Sequence, residues 1–437
     1  MVHGQYPPLK AYGDSLRQVH CGILTDVNGV GLCLACALVI LSPLRAAAAV
    51  YHVSPSGSDR DPGTEARPWK TIGKAAAAAG AGDTVMISTG TYAERVRLER
   101  SGAPGRPIVL TAAAGAQPVI DGSGIPMEKD EGLLEIFGVS HIRVIGLRIV
   151  NAAEAGILAD KASDIVIQGN HTERTGSSGI GAWGCRDVVI DGNEVAHSCS
   201  GMWQEAISVG GTTGFAVTDN LVYNGLPGNR KEGICLKDGS SQGKVSGNRV
   251  HHVRGAGIYV DAWDKHTFDI EVFDNEVHDA WEGNGIALAS EMGGLLERIR
   301  VHHNVVWRNR WVGILISQNG EKVPHPMREI EIANNTVWGN GTEEWGGGIL
   351  ADSPELQSAL IRDNISCANL TFEIAVGFSP ESAVVIDHNL SYGEHDDPAG
   401  RLGKRPVTGD PLFVNAEAGD FRLRQGSPAA GLGALGH

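Results

Sequence analysis

Nine asparagines set the ruler of this chain. Asn170, Asn193, Asn220, Asn248, Asn275, Asn304, Asn335, Asn364 and Asn389 each close an apolar-x-x-Asn tetrapeptide, at spacings of 23, 27, 28, 27, 29, 31, 29 and 25 residues. A second mark falls between most of them, a Gly-Ile pair followed by alternating apolar residues: Gly156-Ile157, Gly179-Ile180, Gly233-Ile234, Gly257-Ile258, Gly285-Ile286, Gly313-Ile314 and Gly348-Ile349, with Ala206-Ile207 in the same place. Period-2 alternation over runs this short predicts strands. A unit of such length has no partner on which to bury its apolar face, so neighbouring units must stack. The expected fold is all-β, a single-stranded right-handed parallel β-helix in which each repeat is one coil. Asparagine tolerates a left-handed backbone, which suits the corner it would occupy, and stacked amides on successive coils can bond to one another as a ladder.

Glycine at 59 of 437 residues fits a chain rich in tight turns. The formal charge of −15 argues against a nucleic-acid groove, which needs a basic face. Residues 1–49 read as a leader and signal peptide: the apolar run from Gly29 to Pro43 is too short to span a bilayer and leads into the small residues Ala46 to Ala49. This predicts a secreted or periplasmic protein with no membrane span in the mature chain, and a monomer. Residues 50–125 read as an N-terminal cap and first coils, with a short capping helix after Trp69. The repeats occupy 126–408, and a closing segment without repeat follows at 409–437. Cys185, Cys199, Cys235 and Cys367 match no metal knuckle, and no disulfide framework is expected.

Counting from the glycine of each Gly-Ile strand, the residue four places on should face outward. Lys237 and Asp261 then lie one rung apart. One place before the glycine stand Glu205 and Glu232, so two carboxylates stack beside a lysine. Arg230, Asp238, Asp264, Lys265 and His266 add charge to the same coils. Like charges one rung apart need a cation or a shared proton. The pair therefore reads as a Ca2+ site or as carboxylates for acid–base work. Trp183 and Trp263 follow the Gly-Ile strands, while Trp203, Trp281, Trp311 and Trp345 precede them. With Tyr259 and Arg230 these would line a sugar-binding groove. Three residues after the asparagines runs a further column, Tyr223, His251, His278, Trp307, Trp338 and Tyr392, which reads as an aromatic stacking ladder.

The block WKTIGKAAAAAGAGDTVMISTGTYAERV, the PIVLTAAAG stretch from Pro107, the asparagine repeats and the DPLF…GSPAAG ending resemble the pectate-lyase-like right-handed β-helix superfamily, across nearly all of residues 50–437. Within it, Glu232-Gly-Ile-Cys-Leu-Lys237 is similar to the Glu-x4-Lys arrangement of the chondroitinase B and alginate lyase group. That resemblance implies Ca2+ held by Glu205 and Glu232, with Asp238 nearby, and Lys237 removing the proton α to a uronate carboxylate. Where that group carries an arginine one coil on, this chain has Asp261, Lys265 and His266. The function expected first is lyase cleavage of a uronate-containing polysaccharide, with hydrolysis by a carboxylate pair on the same face or polysaccharide binding or adhesion without turnover as the alternatives.

Overall fold

A computed structural model describes residues 48–201, 203–223, 231–317, 324–393 and 403–435. Within them the chain winds into a parallel β-solenoid of three sheets with 13, 11 and 13 strands. One coil shows how a repeat is spent. The strand Ser163–Gln168 leads through the Asn170 corner into the short strand His171–Glu173. A turn then carries the chain into the Gly-Ile strand Ile180–Trp183, after which Arg186–Asp191 begins the next coil. Every sheet pairs each coil with the next in parallel, in the order of the chain. Among the described residues no helix is long and apolar enough to cross a membrane. The expected leader and signal peptide, residues 1–49, lie outside the described residues but for the last two.

Register is fixed by isoleucine. Ile157, Ile180, Ile207, Ile234, Ile258, Ile286, Ile314 and Ile349 pair rung on rung, and all eight are fully buried. Each contributes on the order of 1.5–3 kcal/mol by leaving water, and a one-residue slip would turn the whole column outward. Seven of these isoleucines follow a glycine, Ile207 following Ala206 instead, and in the middle coils the glycine is required by space. A Cβ on Gly233, Gly257, Gly285 or Gly313 would stand 2.4, 2.2, 2.2 and 2.4 Å from the valine of a short strand, Val250, Val277, Val306 or Val337.

The asparagines form an unbroken ladder from Asn170 to Asn389, each Nδ2 donating to the next Oδ1 at 2.9–3.1 Å. The backbone N–H of each donates to the same oxygen. The left-handed residue of the corner is not the asparagine itself, as expected from its tolerance, but the residue before it: Asp219, Asp274, His303, Asn334, Asp363 and His388 all have φ between 52° and 55°. The asparagine is there for its amide, which gives and accepts along the column at once. A second, shorter ladder sits five residues further on, Asn309 to Asn340 to Asn369. It ends on Glu373, which accepts from Asn369 and whose carboxyl burial pushes up to about 7.

The helix Ile72–Ala78 starts at Thr71, whose side chain accepts from the Lys74 N–H. Glu94 accepts from the next two free N–H groups, those of Ile72 and Gly73, at 2.9 Å each. Ile72, Ala75 and Ala76 are buried. Glu94→Ala is therefore expected to cost about 1–3 kcal/mol, the usual effect of stranding buried donors, seen as a lower melting temperature that Glu94→Gln restores in part. The hairpin Phe413–Asn415 and Asp420–Leu423 lies along the outside of the coils. It sets Phe421 against Trp307 and Trp338 of the aromatic column at ring separations of 5.8 and 6.0 Å. Upstream that column stacks as the sequence suggested: Tyr223 on His251 at 5.5 Å, His251 on His278 at 5.0 Å, His278 on Trp307 at 4.6 Å. Among the described residues Cys185, Cys199, Cys235 and Cys367 are buried and form no disulfide.

Candidate functional site

The outward face of the 11-stranded Gly-Ile sheet carries the chemistry. Its floor runs Leu158, Gly181, Ser208, Cys235, Tyr259, Ala287, Leu315 and Leu350, one residue per coil in register. Only the middle of this row is polar. Lys237 ends its strand there, and its Nζ donates to Glu205 Oε1 at 2.8 Å and to Gln204 Oε1 at 3.1 Å. The ammonium also stands 5.2 Å above the Trp183 ring. The indole fits because the next coil has Gly210, where a Cβ would meet the ring at 2.3 Å. Glu205 is buried and accepts a second bond from the Ser208 hydroxyl at 2.6 Å.

Burial works against a charge on Lys237, yet the adjoining Glu205 carboxylate outweighs it and holds the ammonium above the usual lysine range. Glu232 has the opposite problem. It is half-buried with the charge of Glu205 beside it, and desolvation and that charge push its carboxyl up to about 7. The two stacked glutamates thus divide the labour, one paired with the lysine and one holding a proton near neutrality. Asp238, next to the lysine, is raised by burial too.

Two grooves open from this centre. One, about 280 Å³, is lined by Asp130, Asp160, Ser178, Trp183 and Gln204. The other, about 460 Å³, is lined by Glu232, Arg254, Tyr259, Glu291, Arg310 and Trp311. Lys237 touches Trp183 and Gln204 of the first, and its partner Glu205 stands one coil from Glu232 of the second. A roomier hollow of about 600 Å³ sits on another sheet over Lys244, Arg298 and Arg300. Its arginines are ion-paired, Arg298 with Asp269 at 2.5 Å and Arg300 with Glu331 at 3.0 Å.

Several expected site residues are placed elsewhere. Asp261 is buried rather than presented, and its Oδ1 accepts from the N–H groups of Trp263 and Glu291 at 2.9 and 3.1 Å. It organises a turn, and burial lifts its carboxyl to about 7. His266 turns to Glu297 at 2.7 Å and stacks on Phe268 at 4.4 Å, and Lys265 is exposed beside it. Tyr259 is in the groove with its hydroxyl on the Glu291 carboxylate. Trp203 is exposed with the Lys129 ammonium 5.7 Å from its ring. Trp263 is exposed on the Asp261 turn, while Trp281 packs edge-on against His252 at 6.3 Å, toward the asparagine side of the coil. Arg230 lies outside the described residues.

Among the described residues no three His, Cys, Asp or Glu side chains are placed to hold a metal ion. Glu205 already takes the ammonium on one oxygen and a hydroxyl on the other, whereas Ca2+ takes about six to eight oxygen ligands. As these side chains stand, Glu205, Glu232 and Asp238 do not fit Ca2+. Gln204, Ser208 and Glu291 belong to the site and were not foreseen. Gln204 and Ser208 could have been found by extending the columns to two places before and two after the glycine. Glu291 comes from a turn, where no register exists.

The family model described as the Pel9A-like, right handed beta helix region matches residues 51–348. Over 434 residues the chain is 28% identical to the uncharacterized protein YwoF of Bacillus subtilis, covering 86% of this chain and 91% of that one. Over 146 residues it is 33% identical to the pectate lyase PEL9 of Emericella nidulans, covering 31% of this chain and 34% of that one. The crystal structure of pectate lyase Pel9A superposes with a TM-score of 0.56 at 17% identity, covering 87% of this chain and 90% of that one.

Proposed function

The chain belongs to the Pel9A-like right-handed β-helix family, and from that premise we propose that it is an exported lyase that cleaves a uronate-containing polysaccharide by β-elimination. The observation that carries this is Lys237, held by Glu205 and Gln204 over Trp183 between the two grooves. A polymer lying along the sheet would pass directly over its Nζ.

In β-elimination the C5 proton goes to a base, the C4–O bond breaks, a C4–C5 double bond forms, and the leaving oxygen takes a proton. Neutral Lys237 accepts the C5 proton, and the ammonium so formed is the state Glu205 stabilises. Glu232, with a carboxyl near 7 at the edge of the second groove, is the group suited to protonate the leaving oxygen. The substrate carboxylate needs a countercharge as electron density moves onto it. A cation requirement is a separate proposal, read from the same assay with added Ca2+ and with chelator.

Hydrolysis needs two carboxyl groups across one bond. Glu232 has the raised pKa of a proton donor, but Glu205 is committed to Lys237 and Ser208, and Asp261 to two backbone N–H groups. That leaves hydrolysis as the second reading.

The test is ultraviolet absorbance of the unsaturated product when residues 48–437 meet pectate, alginate, chondroitin and other uronate polymers. A rise is expected. A flat trace with new reducing ends would overturn the lyase in favour of the hydrolase, and a flat trace without them would leave a binding protein. The rate also has an expected pH dependence. Because Lys237 is held charged above the ordinary lysine range, its neutral fraction grows about tenfold per pH unit below its pKa. The protonated fraction of Glu232 falls by about the same factor per pH unit above its value near 7, so turnover should rise up to about pH 7 and stay level from pH 7 to 9; a steep climb across that range would remove Glu232 as the acid.

A further inference from the structure

The groove that begins at Glu232 does not stop at charged residues. Its far end is lined by Trp311, whose indole N–H donates to the Glu282 carbonyl at 3.0 Å and whose ring carries the Arg310 guanidinium at 5.0 Å. Beyond it come Trp345, 6.5 Å from Trp311 between ring centres, and Phe372, 5.9 Å from Trp345. Trp345 is 46% exposed. Each ring precedes a strand of the same Gly-Ile sheet, so the row runs along the solenoid at the edge where Glu205 and Glu232 stand, to which the Lys237 ammonium reaches back.

We propose that Trp311, Trp345 and Phe372 form a distal subsite that stacks a sugar ring of the same polysaccharide, three to four coils from Lys237. At ~4.8 Å per rung that is ~14 Å along the solenoid to the coil of Trp311 and ~19 Å to that of Trp345. The inference rests on the polysaccharide reading above and names the part of the chain the site holds. A pyranose has an apolar face and a rim of hydroxyls. The exposed Trp345 ring, next to Trp311 and its Arg310 guanidinium, answers both. Continuity selects the occupant, because Trp311 lines the same groove as Glu232 and a chain filling one end reaches the other. The subsite makes no contact with the bond being cut. Its role is to hold long substrates, which places cleavage within the chain rather than at an end.

The test uses Lys237→Arg as the binding form without turnover, and measures affinity for a long uronate polymer and for a trisaccharide too short to span four coils. Trp345→Ala on this background should weaken polymer binding about tenfold and leave the trisaccharide unchanged, while Trp345→Phe should keep most of the affinity. Polymer binding indifferent to Trp345→Ala overturns the subsite, as does an equal loss for both ligands. Sedimentation showing that the parent self-associates and Trp345→Ala does not would also overturn it, assigning the patch to a second copy. The two readings fail separately. Turnover by the wild type with binding indifferent to Trp345 sinks the subsite alone, and Trp345-dependent binding without turnover sinks the lyase alone.

Discussion

Lys237→Arg is expected to lower turnover about 10²- to 10⁴-fold, the usual contribution of a positioned base, while substrate binding stays within a few-fold. Arginine is the informative replacement because it keeps a cation on Glu205 yet is never deprotonated near neutral pH. Lys237→Ala is the harsher change. It strips the cation from a buried carboxylate that stands beside Glu232, and removing one partner of a buried ion pair costs on the order of 3–5 kcal/mol. Loss of activity in the alanine variant is therefore confounded with unfolding, whereas an inactive arginine variant with wild-type melting isolates the proton transfer. Stopped assays on the polymer that gives the largest absorbance rise would measure it. Full activity in Lys237→Arg would remove the base assignment outright.

Repetition makes most of the fold legible, and single turns make the rest opaque. Ile157 to Ile349 and Asn170 to Asn389 recur because every coil meets the same neighbours, so register, inward faces and the aromatic column can be counted from the sequence. Counting also places Glu205, Glu232, Lys237 and Trp183 on one patch, where Lys237 meets Glu205 and Trp183. It does not say which way a charged residue turns. Asp261 shares the outward column with Lys237 but ends its strand at a turn, and two free N–H groups there draw the carboxylate in. His266 stands just before another strand and takes Glu297 as partner. The left-handed corner residue escapes counting for a related reason. Asn is so evidently the repeated residue that the backbone demand is readily credited to it, while Asp219, Asp274 or His303 meets that demand.

Asn304→Leu is expected to remove about 3–6 kcal/mol of stability, more than any single contact at the surface could, since leucine fills the space but leaves the partners of the amide unpaired in the core, at roughly 1–3 kcal/mol for each group stranded. Asn304 is fully buried at mid-ladder. Its oxygen accepts from the backbone and side-chain nitrogens of Asn275 at 3.1 and 2.9 Å, and its nitrogen donates to Val272 O and Asn335 Oδ1, both at 2.9 Å. Because coils touch only their neighbours, the break should also divide unfolding into two stages in a guanidinium titration. Asn304→Asp separates hydrogen bonding from shape. Ionised, the acid keeps the bonds from Asn275 but sets a negative charge against Val272 O and Asn335 Oδ1. Its folded pKa must then rise above the unfolded value of about 3.9. The folded state binds the extra proton, so stability relative to wild type is retained below the unfolded pKa and lost as pH rises toward the folded one. The Asn304→Asp variant should therefore lie close to wild type near pH 4 and well below it near pH 8. Equal deficits at both values would show that the amide column fills space without bonding it.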